Sequence, residues 1–177
     1  MAASSSPTTL EPEQVAALLE SAVATIRAEV EALPKAVHVW HPAPEEWSIN
    51  EVIGHLIESE RRGFAGRVRI LLASKDPQLE GWDQNEVAKG RRDDMKAAAK
   101  LVAELERMRV ESASLVRGLK AADLKRGGQH PEVGWLRVAD LLHEWVHHDR
   151  NHIKQILSNV QAWAWPHMGN AQKFTGE

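Results

Sequence analysis

Cysteine is absent from this 177-residue sequence. Disulfides, thiolate nucleophiles and Cys-ligated zinc or iron–sulfur sites are therefore excluded. An excess of positive charge is missing too: 22 Lys and Arg stand against 25 Asp and Glu, for a net charge of −3. That balance gives no reason to expect nucleic acid as a partner, since nothing is left over to neutralise phosphates. No window approaches the roughly 20 apolar residues that cross a bilayer, so no membrane partner is expected. The opening MAASSSPTT has neither a basic start nor an apolar run behind it and does not read as a secretory signal. A cytoplasmic protein is the expectation, disordered over residues 1–10 and forming a single domain over 11–177. Tyrosine is also absent and there are only two Phe; what stands out instead is seven Trp and nine His.

Four long segments carry the three-and-four spacing of amphipathic helices. The first runs from about Glu11 to Leu33, with Pro12 in its opening turn and Pro34 ending it. The second opens at Ser48, where Ser48 and Glu51 form an S-x-x-E capping box behind Trp47, and continues to about Ala73. Residues 74–90 show little periodicity, and a connection of that length points to function or to a crossover between distant helix ends. The third helix spans about Arg91 to Lys120. A loop rich in Gly and Pro follows, then a fourth helix from about Leu136 to Val160, and no convincing strand is found. An all-α four-helix bundle results, and the long link between the second and third helices lets them run parallel, giving an up-down-down-up order.

The fourth helix holds four histidines in LLHEWVHHDRNHIKQIL. Two pairs, His143/His147 and His148/His152, have the i,i+4 spacing that places two imidazoles over one ion. At about 100° per residue, His148 and His152 share a stripe with Leu141, Trp145 and Ile156, whereas His143 and His147 fall on the polar side. His148 and His152 are therefore expected to face the interior. His143-Glu144-x-x-His147 also matches the H-E-x-x-H zinc-peptidase pattern, but its two His are expected to face water, away from any cleft. A third ligand must come from another helix, and His55 is the candidate, two turns into the second helix and flanked by Val52 and Leu56. Asp149 is expected to be solvated, Trp145 to pack in the core, and Arg61, Arg62, Arg67 and Arg69 to form a solvated stripe. Trp82 and Asp83 in the crossover could either reach the site or serve as anchor and turn former.

These residues resemble a known family. Trp47-Ser48-x-x-Glu51-Val52-x-x-His55-Leu56-x-x-x-Glu60, the loop Gly81-Trp82-Asp83-Gln84-Asn85, and the run from His130-Pro131 and Gly134 to His148-Asp149-x-x-His152-x-x-Gln155-Ile156 are similar to the DinB-like (DinB/YfiT) superfamily of metal-binding four-helix bundles. The resemblance covers roughly Val15 to Val160. It implies a bundle with parallel second and third helices, assembly as a homodimer, and a metal site made by His55, His148 and His152. It offers no role for His143, His147 or the Trp-rich tail.

Three imidazoles leave part of an ion open, as catalytic sites do, and all-nitrogen ligation suits Zn²⁺, Ni²⁺ or Fe²⁺. The resemblance implies a metal-dependent transferase using an external low-molecular-weight thiol, or a metal-dependent hydrolase, acting on a small molecule. With no Cys in the chain, any thiol nucleophile must come from outside. A non-catalytic metal-binding stress-response bundle is the alternative, and an H-E-x-x-H metallopeptidase a third reading. The catalytic residues, the substrate and the metal are left open by the sequence.

Overall fold

The protein was analysed as a computed structural model that describes residues 9–175, so most of the stretch expected to be disordered lies outside the described residues. Helix α1 (Pro12–Ala32) starts from a capping box between Glu11 and Gln14 and buries Val15, Leu19, Ala22, Ile26 and Val30. A single turn, α2 (Lys35–His38), leads into the second long helix. That helix is interrupted. Helix α3 (Ile49–Glu58) opens from the Ser48–Glu51 capping box, Ser59–Phe64 widens into a π turn, and α4 (Ala65–Ala73) completes the rod. The π turn depends on Gly66: a Cβ there would lie 2.0 Å from the Arg61 carbonyl oxygen, a separation only glycine permits.

The expected loop over 74–90 contains a helix, α5 (Gln84–Arg91), capped by the Asp83 carboxylate, which accepts from the N–H groups of Asn85 and Glu86. None of its residues is buried, so it leaves no apolar periodicity to read. Helix α6 (Ala98–Arg117) starts later than the spacing suggests, after a left-handed Arg92 and a short 3₁₀ turn. The Gly-rich loop is a hairpin rather than coil. Strand β1 (Gly127–His130) pairs antiparallel with β2 (Gly134–Arg137), and Gly134 supplies φ +77° in the turn. Helix α7 (Val138–Ala164) closes the bundle.

Side-chain pairs give the helix directions. Arg117 at the end of α6 pairs with Glu13 and Glu20 near the start of α1, so these two run antiparallel. Asn50 lies against Asp93 and Lys96, and Glu60 against Arg109, so α3 runs parallel to α6. Asn159 of α7 donates to the Trp47 carbonyl, while Phe64 stacks on Trp145, which sets α3–α4 antiparallel to α7. The order is up-down-down-up. One core cluster gathers Ile26, Ile53, Ile57, Leu101 and Leu105, the other Leu19, Val68, Leu71, Leu141 and Trp145. Among the described residues no helix is long and apolar enough to cross a membrane.

The crossover is fastened to the hairpin. The Leu79 N–H donates to the Gln129 carbonyl at 2.8 Å and the Gln129 N–H to the Pro77 carbonyl at 2.9 Å. Gly128 allows this approach, because a Cβ there would meet the Pro77 oxygen at 2.6 Å. The clamp delivers Gly81–Asn85 to the same side of the bundle as His55 and His148.

Candidate metal centre

His55 sits on the face of α3 that meets α7 and is 5% exposed. His148 and His152, one turn apart on α7, are half-buried and turned toward it. Each of the three offers a ring nitrogen, and these nitrogens all lie within 4.8 Å of one another. The Nε2 atoms of His55 and His148 are 3.0 Å apart, and the Ser59 hydroxyl is 3.2 Å from His55 Nε2. Two nitrogens held at roughly 2.0–2.1 Å from one ion, between right-angled and tetrahedral, stand about 2.9–3.4 Å apart. The donor set suits a first-row divalent cation, and the 3.0 Å separation of His55 Nε2 and His148 Nε2 falls within that range.

Burial keeps these rings in the ligand-ready form. It lowers the pKa of His55 to about 3, helped by neighbouring His152, and that of His148 to about 3, helped by His152 and His55. The pKa of His152 is lowered by burial as well. A neutral imidazole keeps a lone pair for a metal, whereas an imidazolium has none. His152 Nδ1 lies 2.9 Å from the Gln155 amide oxygen, which fixes the proton on Nδ1 and leaves Nε2 as the acceptor. His55 Nδ1 and His148 Nδ1 are buried without a protein partner.

Aromatic rings wall the cluster. Trp47 lies 5.0 Å from the His55 ring and 6.5 Å from His152, and Trp82 stacks on His55 at 5.9 Å. Phe64, displaced by the π turn, meets His148 edge-on and stacks on Trp145. In front of His55 and His148 opens a cavity of about 510 Å³, lined also by Arg67, Trp82, His130, Glu132 and Glu144.

The other expectations divide. His143 does not face open water: its Nε2 accepts from the Leu10 N–H and its Nδ1 lies 2.8 Å from the Ala139 carbonyl oxygen, under the chain entering α1. His147 is exposed beside Asn151. Among the described residues, His143 and His147 join no cluster able to hold an ion, so the H-E-x-x-H pattern has no metal geometry behind it. Its Glu144 nevertheless lines the cavity, one turn before His148. Both readings of the crossover hold, since Trp82 reaches His55 while Asp83 caps α5 at the cavity edge.

Asp149 departs from expectation. It is 2% exposed and faces Arg109 of α6, with 3.0 Å between Oδ2 and Nη1, because one residue past His148 the helix has turned about 100° toward that neighbour. Arg109 also faces buried Glu60 at 3.4 Å, and sequence reasoning missed this triad. A charged residue at an interior helical position on each of three elements, the π turn, α6 and α7, is the available signal. Arg67 likewise leaves the solvated stripe and turns to His130, with 2.9 Å between Nη2 and Nε2. Trp47 and Gln155, quoted in the resemblance without a role, prove to touch the site.

Comparison with known proteins agrees with this architecture. YfiT from Bacillus subtilis, described as a probable metal-dependent hydrolase with an unusual four-helix bundle topology, superposes with a TM-score of 0.80 at 20% identity, over 91% of this chain and 94% of its own. A structure from Clostridium difficile superposes with a TM-score of 0.65 at 10% identity, over 86% and 96%. In sequence, a protein of Oceanobacillus iheyensis provisionally named a metal-dependent hydrolase is 24% identical over 67% of this chain and 68% of its own. One of Bacillus mycoides with the same provisional name is 23% identical over the same shares. The sequence profile of the DinB superfamily matches residues 10–156, so this chain belongs to the DinB superfamily.

Proposed function

We propose that the protein is a metal-dependent enzyme acting on a small molecule, with His55, His148 and His152 as the ligands of one divalent ion. The convergence of these three ring nitrogens within 4.8 Å, with His55 and His148 at the wall of a cavity, is the observation that carries this reading. A Zn²⁺, Ni²⁺ or Fe²⁺ ion held there would supply Lewis acidity, lowering the proton affinity of a water or thiol and polarising a carbonyl. The protein supplies the surroundings. Gln155 holds His152 in one tautomer, and Trp47 and Trp82 cover the imidazoles and exclude bulk water. Glu144 places a carboxylate on the cavity wall where a proton can be accepted.

Hydrolysis is the reaction class supported by the provisional names of the relatives. Thiol-dependent transfer is the second reading. A chain with no Cys would take its thiol from a low-molecular-weight partner, and a cavity of about 510 Å³ has room for a small thiol beside a small electrophile. Elemental analysis of the purified protein tests the metal assignment, with about one divalent ion per chain expected in wild type and loss in His55→Ala and His148→Ala. Unchanged metal content in both variants refutes the site. Metal-dependent turnover of activated esters, against turnover of electrophiles only with added thiol, separates the two reaction classes. Metal binding with neither activity would indicate a non-catalytic bundle.

A further inference from the structure

The cavity in front of the imidazoles has a second pole. Arg67 leaves α4 half-buried and reaches the cavity wall. Its Nη2 is committed to the protein, 3.0 Å from the Glu80 carbonyl oxygen and 2.9 Å from His130 Nε2. His130 is 5% exposed and is held from its other side as well, with Nδ1 3.3 Å from the Glu132 backbone nitrogen. The Arg67 Nε is buried and has no partner, and Nη1 makes no hydrogen bond among the described residues.

Most arginines in this protein are neutralised at close range. Arg61 and Arg62 meet Glu58, Arg91 meets Asp93, Arg109 meets Asp149, and Arg117 meets Glu20. Arg67 is different. Burial lowers its proton affinity, partly offset by Glu144 on α7 and Glu132 beside the hairpin turn, neither of which forms an ion pair with it. A half-buried guanidinium whose Nη1 is left without a protein acceptor beside a cavity is suited to an oxyanion, which it can hold through a charge-assisted hydrogen bond from that nitrogen.

We propose that Arg67, held in place by His130 and the Glu80 carbonyl, is the binding residue for an oxyanion of the substrate, a carboxylate or a phosphate. The substrate is then a small acid whose anionic end lies at Arg67 while its reacting end faces His55 and His148. The orientation rests on reading the three imidazoles as a metal site; the anion subsite itself does not need the ion.

That independence sets the experiment. Binding of inorganic phosphate and of propionate is measured by calorimetry on chelator-treated, metal-free protein. Wild type, Arg67→Gln, Arg67→Lys and, as a control on the same helix, exposed Arg69→Gln are compared, and metal content is determined separately. The expected result is binding of one or both anions by wild type and Arg69→Gln, at least about tenfold weaker in Arg67→Gln, which corresponds to about 1.4 kcal/mol, and partial recovery in Arg67→Lys. The anion that binds identifies the substrate's acid. Phenylglyoxal labelling read by mass spectrometry gives an answer on wild type alone, because the bound anion should protect Arg67. Failure of both anions to bind wild type, equal affinity in Arg67→Gln, or unprotected Arg67 overturns the proposal. If the protein takes up no divalent metal yet binds anions through Arg67, the metal reading fails and the subsite stands.

Discussion

At the scale of single residues, the interior of the bundle carries more charge than an apolar core predicts. Arg109, Glu60 and Asp149 are each 1–2% exposed, and the Arg109 guanidinium also lies 5.5 Å from the Trp145 ring centre. Burial pushes both carboxyls above their ordinary range while Arg109 pulls them back. Removing the shared cation strands two buried acids, so Arg109→Met should cost about 3–5 kcal/mol in urea unfolding. Adding Glu60→Gln and Asp149→Asn should restore much of it, and a cheap single substitution would show that the triad is not a stabilising unit. The imidazoles give a pH dependence. His55 and His148 titrate near 3 when folded, against 6.5 for an ordinary imidazole. Below about pH 6.5 the unfolded metal-free chain binds protons that the folded one refuses, so stability falls as pH drops from 6.5 toward 3 and is level above that window. Each ring contributes up to about 1.4 kcal/mol per pH unit there. Urea midpoints of metal-free His148→Phe should therefore depend less steeply on pH than those of wild type between about pH 6.5 and 4.5; parallel profiles would mean that His148 is not held neutral. The α7 pair was legible in sequence because helical phase separates His148 and His152 from His143 and His147, whereas His55 was named from its place on the second helix and from the family resemblance. Arg67 was not legible, because its partner His130 lies on a hairpin that leaves no periodic trace.

At the scale of elements, the same reasoning explains which parts of the fold could be read in advance. Helices α1, α6 and α7 bury a stripe, and burial writes a period into the sequence. Helix α5 buries nothing, and β1 and β2 are four residues each around a glycine turn, so neither had a signal long enough to count. The π turn is illegible for another reason: it keeps the rod continuous and only shifts the phase beyond Ser59. Its sole trace is Gly66, and that trace is testable. A methyl group there meets the Arg61 carbonyl oxygen, whereas one at Gly63 finds its nearest neighbour, the Ser59 Cβ, at 4.0 Å. Gly66→Ala should destabilise by about 1–3 kcal/mol and disturb the packing of Phe64 on His148. Gly63→Ala should be neutral or stabilising by under about 1 kcal/mol, since alanine is the better helix former. Thermal unfolding of the pair compares them directly. Equal behaviour would show that the wide turn is not what glycine is needed for. The hairpin clamp makes a parallel prediction: Gly128→Ala forces the Pro77 carbonyl away. Hydrogen exchange at the Leu79 and Gln129 amides should then rise, with Trp82 loosened from His55.

At the scale of the whole molecule, the candidate ligands tie together two helices that the chain separates widely. His55 and His148 are 93 residues apart in sequence, joined through the crossover, α6 and the hairpin. An ion bound to both ends of that path favours only the folded arrangement, so it stabilises the native state by mass action. At a free concentration one hundred times the dissociation constant the gain is about 2.7 kcal/mol. For a chain of this size each kcal/mol raises Tm by roughly 2–4 °C, giving about 5–10 °C in all. Zn²⁺ or Ni²⁺ added to chelator-treated protein should produce that rise, reversed by EDTA. Mg²⁺ and Ca²⁺ should not, because hard cations prefer oxygen donors to three imidazoles. The variants make the result specific to the site. His148→Ala should abolish the metal-dependent part of Tm while keeping a cooperative transition, whereas His143→Ala and His147→Ala should retain it, since neither belongs to the cluster. If metal stabilised the His148→Ala protein as well as wild type, the ion would be binding elsewhere. Sedimentation across a range of concentrations in the same buffers tests the homodimer that the family resemblance implies. A Tm that rises with protein concentration as well as with metal would show that assembly and ion binding stabilise the same folded state.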